Sequence, residues 1–213
     1  MRQISLILLA MVLPLAGCGI SPPSPKEPDP QVLFIALDGT GSYEHMKEAK
    51  RAAIRALEKA PAKSKVYVRW ITGNSAADAA AIASAYLPEK AENPYQSEKK
   101  KRSAKQRLAR TIANAKSPKS QNTDLQGLLW TAERRFRGES DKDLKLILAT
   151  DLAGNAGREF PEVNLSGVTV RVVGFEVDPS RPKRETRWRR TFQEAGADTT
   201  VVRYLDEPAV PTE

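Results

Sequence analysis

The sequence predicts an α/β fold: a doubly wound, mostly parallel sheet with helices on both faces. Short runs of continuous apolar residues, such as VLFIAL (32–37), alternate with stretches of helical period. The runs lack the polar–apolar alternation of half-exposed strands, so they are expected to be buried on both faces. The alternation continues to about residue 205 with no internal repeat. The chain has 213 residues, 40% of them apolar, which suffices for one domain with its own core plus extra segments.

The first residues read as targeting rather than fold. MRQISLILLAMVLPLAGCG has a charged start at Arg2, an apolar run from Ile4 to Val12 and small residues before Cys18. That is the layout of a secretory signal, and the apolar run is short for a membrane span. Cys18 is the only cysteine, so no internal disulfide can form. Leu15-Ala16-Gly17-Cys18 resembles the lipobox of bacterial lipoproteins. The resemblance implies removal of residues 1–17, lipidation of Cys18 and a net charge falling from +8 to +7 as Arg2 is lost. Gly19 rather than Asp after the cysteine implies the outer membrane more than the inner. Residues 18–31 then form a linker. With five prolines between positions 20 and 31, it is expected to stay extended, a stalk of roughly 35 Å at most.

The domain is expected over residues 32–206, with a loose tail at 207–213. Strands are expected at 32–37, 65–71, 144–150, 168–177 and 199–205, where β-branched and aromatic residues gather. Helices are expected at 43–59, 97–115, 123–137 and 184–195, each with an apolar stripe. Within the last, Trp188 and Phe192 lie four apart, a core-packing spacing. The alanine-rich stretch from Ser75 to Tyr86, stopped by Pro88, is also expected to be helical.

The first strand runs into Asp38, Gly39, Thr40, Gly41 and Ser42. Glycines permit a tight turn, and the alternate oxygen-bearing residues suit a phosphate, a metal ion or a helix cap. A dinucleotide fingerprint fails, because Glu44 stands where the third glycine should be. A haloacid dehalogenase motif fails too: its nucleophilic aspartate would fall at Ala36. The pattern D-x-T-x-S instead resembles the first loop of the metal-ion-dependent adhesion site of von Willebrand factor A (vWA) domains. Two later fragments resemble that family's other loops in the right order: SQNTDLQGLLWTA, with Thr123, and LKLILATDLAGNAG, with Asp151 after a strongly apolar strand. Leu152 stands where the family usually has glycine, and the usual short antiparallel edge strand is not evident.

The resemblance implies a metal site of Asp38, Thr40, Ser42, Thr123 and Asp151. All are oxygen donors, which suits Mg²⁺, then Mn²⁺ or Ca²⁺, and disfavours zinc. It implies a binding module, not an enzyme, that grips a protein partner presenting a carboxylate. The competing readings are local: Ser42 and Thr123 capping helices, and Asp151 serving a turn. His45 is read as an ordinary helix residue. No histidine or spare glutamate near the loops offers a general base for a hydrolase.

Basic residues cluster at 97–119, with nine Lys or Arg and one acid, and at 181–190, with six and one. They suit an anionic envelope component, or else a solvated face. Export argues against nucleic acid. The alternative to metal-bridged binding is an assembly lipoprotein with a degenerate site that meets acidic partners through this basic surface.

Overall fold

The computed structural model describes residues 28–89, 94–153, 163–175 and 181–204. Cys18, the signal and the tail lie outside the described residues. The elements are β1 (Gln31–Asp38), α1 (Met46–Lys59), β2 (Lys65–Ile71), a 3₁₀ turn (Asp78–Ala80), β3 (Ala81–Tyr86), α2 (Pro94–Asn114), α3 (Leu125–Phe136), β4 (Asp143–Ala149), β5 (Val168–Phe175), α4 (Arg181–Glu194) and β6 (Thr199–Tyr204). They build one six-stranded sheet in the order β3-β2-β1-β4-β5-β6. Every pairing is parallel except that of β2 with β3.

β1 is the central strand and explains the unbroken apolar run. Val32, Phe34 and Ala36 enter a core shared with α3 and α4. Leu33, Ile35 and Leu37 enter a second core shared with α1 and α2. A strand covered on both faces has no polar side, so period two disappears from its sequence. Trp188 and Phe192 are buried, with ring centroids 5.5 Å apart, as their spacing predicts. Lys50 of α1 donates to the carbonyls of Ala113 (3.0 Å) and Ala115 (2.6 Å), closing the end of α2. A cation at a helix C-terminus also meets the negative end of the dipole.

The segment Ser75–Tyr86 corrects an expectation. It is not a helix: after the 3₁₀ turn it returns antiparallel along β2 as the edge strand that the sequence had seemed to lack. Alanine's helix propensity is a weak prior, and ladder bonds to a preformed edge overrule it. Arg69, itself buried, fixes the reversal by donating to the carbonyls of Ser75 and Ala77. Burial first, and Arg135 second, hold this guanidinium below its ordinary pKa.

At the amino end of the sheet, Glu139 sits between Lys142 and Lys65. Bonds from Lys142, then Lys65, hold its carboxyl below the usual value of 4.5. A depressed folded-state pKa adds stability above the unfolded value and loses it as pH falls through the folded one. Glu139→Gln should therefore lower stability at neutral pH by under about 1 kcal/mol, the scale of partly exposed pairs. Urea titrations of both proteins should converge in acid below the ordinary carboxylate range. A gap that persists there would mean the pair is not responsible.

Candidate metal centre at the carboxyl ends of the strands

From β1 the chain goes to β2 on one side, then crosses to β4 on the other. Ligands of open α/β sheets bind beyond the carboxyl ends at such a reversal of strand order. Asp38 ends β1 there, beside Ile71 of β2 in register and next to the end of β4.

Asp38 is the hub. Its side chain is fully buried, and no cationic side chain among the described residues forms an ion pair with it. Its Oδ1 accepts from the backbone N of Thr40 (3.0 Å) and from Thr40 Oγ1 (2.7 Å). Its Oδ2 accepts from Thr150 Oγ1 (2.5 Å), a residue 112 positions away. A hydroxyl that gives its proton to a carboxylate turns its lone pairs elsewhere. Thr40 Oγ1 is therefore set as an oxygen donor toward the pole of the sheet. Ser42 Oγ lies 3.5 Å from it, on an exposed residue.

The second loop is stitched alongside the first. Ser120 N donates to Gly39 O and Gly41 N to Ser120 O, both at 2.9 Å, so Thr40 and Ser120 form a parallel bridge. Gly39 serves close approach here, not left-handed backbone. A β-carbon on it would stand 2.8 Å from Pro118 Cγ and 3.0 Å from Ile71 O. Further along, Asp124 N donates to Thr72 O (2.7 Å), while Asp124 accepts from Ser75 N (3.0 Å) and Gly127 N (2.8 Å). These bonds hold the preceding Thr123, buried with 7% exposure, on the run that flanks Thr40 and Ser42.

The capping alternatives fail at both places. The residue before α1 is His45, with no side-chain cap, and Ser42 stands three residues upstream. Asp124, not Thr123, caps α3. Neither hydroxyl is consumed by a helix end.

In the third loop, Asp151 is engaged by its own turn and by α4. Asp151 Oδ1 accepts from Ala153 N (2.7 Å), so the turn reading holds for this residue. Its Oδ2 lies 3.8 Å from Arg184 Nη1 of α4, which also donates to Asp151 O (3.1 Å). Its carboxylate thus shares the pole with Asp38 but is partly committed. Leu152 has φ +54°, the backbone that glycine adopts freely. The loop keeps glycine geometry with leucine in place because its neighbours hold it: Leu152 N donates to Thr150 Oγ1 (3.0 Å) and Trp188 Nε1 donates to Leu152 O (3.3 Å).

Thr150 was not among the residues expected from sequence. The signal was its place between an apolar strand and Asp151, a hydroxyl at a buried strand end. Among the described residues no three His, Cys, Asp or Glu side chains come together as a metal cluster. An ion at this pole would be held chiefly by hydroxyl oxygens, and the donor set fits a hard cation rather than a soft one.

No protein-family model and no curated protein matches the chain. Among solved structures, an aerotolerance-related membrane protein of Bacteroides fragilis aligns with a TM-score of 0.52 at 14% identity. The alignment covers 82% of this chain and 91% of that one. Proximal thread matrix protein 1 of the mussel byssus, in a form with a zinc-occupied MIDAS motif, gives 0.49 at 17% identity over 84% and 45%. A von Willebrand factor type A protein of Catenulispora acidiphila gives 0.47 at 18% over 85% and 40%. The chain spans less than half the length of the last two. The likeness is one of fold, the doubly wound, mostly parallel α/β sheet described above.

Proposed function

We propose that this chain is an envelope lipoprotein, anchored through Cys18, whose vWA-like domain binds a protein partner through a divalent ion. Thr40, Ser42 and Thr123 would offer hydroxyl oxygens to the ion, with Asp38 and Asp151 supplying negative charge. The bound ion would give a partner's carboxylate a positive centre to engage. The observation that carries this reading is Asp38: a fully buried carboxylate that orients Thr40 Oγ1 and has no cationic side-chain partner among the described residues. A buried charge of this kind calls for a compensating one. Mg²⁺ suits the set, with Mn²⁺ or Ca²⁺ as alternatives. No helix among the described residues is long and apolar enough to cross a membrane; the attachment in this reading is the lipid on Cys18. The B. fragilis neighbour being a membrane protein accords with that.

The domain is read as a binder rather than an enzyme. Among the described residues, Asp38 takes three donors, Asp124 caps α3 and Asp151 serves its turn. The test is thermal unfolding of the full chain with Mg²⁺, Mn²⁺, Ca²⁺ or EDTA. An ion that prefers the native state raises the midpoint, by about 2.7 kcal/mol of stability at a hundred times its Kd. Equal midpoints in EDTA and in every metal would sink the reading.

The Arg184 contact favours one second reading. There the site is degenerate, an arginine supplies the charge near Asp151, and acidic partners are met by the basic surface. Partner binding would then fall in high salt and ignore chelator.

A further inference from the structure

Among the described residues, unpaired cations are more numerous on α2 than on α4, where Lys183 and Arg187 form no ion pair. On α4, Arg184, Arg189 and Arg190 are paired with Asp151, Glu185 and Glu194. On α2, Lys99, Lys100, Arg102, Arg107 and Arg110 are exposed and form no ion pair among the described residues. Lys105 is the contrast within α2: its ammonium is used on Glu58 O at 2.6 Å. At helical spacing, Lys99, Lys100, Arg107 and Arg110 share one face, which runs alongside the buried stripe of Ala104, Leu108 and Ile112.

That face borders a groove of about 550 Å³ between α2 and the end of β3, lined by Tyr86, Pro88, Lys99, Lys100, Ala104 and Arg107. Its floor is apolar and its walls are cationic. Tyr86 is 55% exposed, and Tyr95, at the start of α2, is 90% exposed. Exposed tyrosines beside unpaired lysines match the chemistry of a lipid–water boundary, where the rings sit at headgroup level and long basic side chains reach phosphates.

The position fits as well. Tyr86 pairs in register with Lys65, the first residue of β2. Leu87 N donates to Ser64 O (2.8 Å), and Ser64 Oγ accepts from Gln31 N (3.0 Å). The groove therefore lies toward the end of the sheet where the chain enters β1 at Gln31, two strands over from Tyr86. The hydroxyl-lined pole is at the far end of that eight-residue strand, roughly 23 Å away at 3.3 Å per residue.

We propose that this α2–β3 face docks on an anionic phospholipid bilayer, so that the carboxyl pole of the sheet faces away from the membrane. The proposal stands apart from the ion site. It rests on the anchoring reading only for which bilayer the face meets.

The test uses unacylated full chain and vesicles rich in phosphatidylglycerol, against vesicles of phosphatidylcholine alone. The N-terminal residues, Arg2 included, are common to every variant, so the difference between parent and variant on the anionic vesicles reports the face. Each basic residue near an anionic surface strengthens binding severalfold, so combining Lys99→Gln, Lys100→Gln and Arg107→Gln should weaken anionic partitioning on the order of 100-fold. High salt should do the same, EDTA should do nothing, and the triple variant should melt like the parent. A matched pair on α4, Lys183→Gln with Arg187→Gln, should have a much smaller effect. Equal binding to both vesicles, an unchanged triple variant, or an α4 pair as damaging as the α2 triple would overturn the assignment. So would soluble polyglutamate displacing the chain as effectively as competing vesicles, which would mark the face as a site for acidic protein.

Discussion

In EDTA, Asp38→Asn is expected to melt within about 1 kcal/mol of the parent, a single neutral hydrogen bond's worth. In saturating Mg²⁺ the same variant should fall roughly 3 kcal/mol short, because only the parent gains ion-linked stability. The asymmetry follows from what asparagine keeps. Its carbonyl oxygen can still accept from the backbone N and hydroxyl of Thr40. Its amide replaces the oxygen that accepts from Thr150, while the negative charge disappears. Asp38→Ala should be worse in both buffers, since it strands three donors in a closed space at about 1–3 kcal/mol each. Calorimetry of the three proteins with and without metal decides it. If asparagine and aspartate respond identically to Mg²⁺, the carboxylate has no part in holding an ion.

Leu152 should invert a familiar order. Removing a fully buried leucine to alanine costs about 2–5 kcal/mol, and Leu152 is 1% exposed. Glycine removes one atom more, so in ordinary backbone it would be the worse substitution. At φ +54° it should be the better one. A residue with a β-carbon carries a left-handed penalty of about 1–2 kcal/mol that glycine avoids. Leu152→Ala is thus expected to be less stable than Leu152→Gly by about 1 kcal/mol in urea unfolding. Alanine proving equal or superior would show that the loop relaxes out of this conformation. The position matters beyond its own burial. Leu152 N donates to the hydroxyl of Thr150, which in turn donates to Asp38.

Most of the fold was legible because its central strands carry unbroken apolar runs and its helices carry clean stripes. The failure at Ser75–Tyr86 has a physical cause. The six residues of β3, Ala81–Tyr86, are small or weakly patterned, and what made them a strand was β2 beside them together with Arg69 pulling in the carbonyls of Ser75 and Ala77. No window of the local sequence contains that arginine in its role. The candidate site was legible as three oxygen-bearing fragments in order. Its wiring was not. Thr150 looks like any strand-end threonine until β1 and β4 are adjacent. The grip of Arg184 on Asp151 depends on where α4 lies. Leu152 was visible as an odd residue, but only the backbone angle shows that it occupies a glycine's conformation.

The hub also bears on when the domain becomes itself. Asp38 meets Thr150 across 112 residues of sequence, and β1 lies between β2 and β4. The middle strand therefore cannot gain its second neighbour until most of the polypeptide has been synthesised. Closing so large a loop before any reward arrives makes folding slow. The nascent chain therefore stays pliable until its last third emerges.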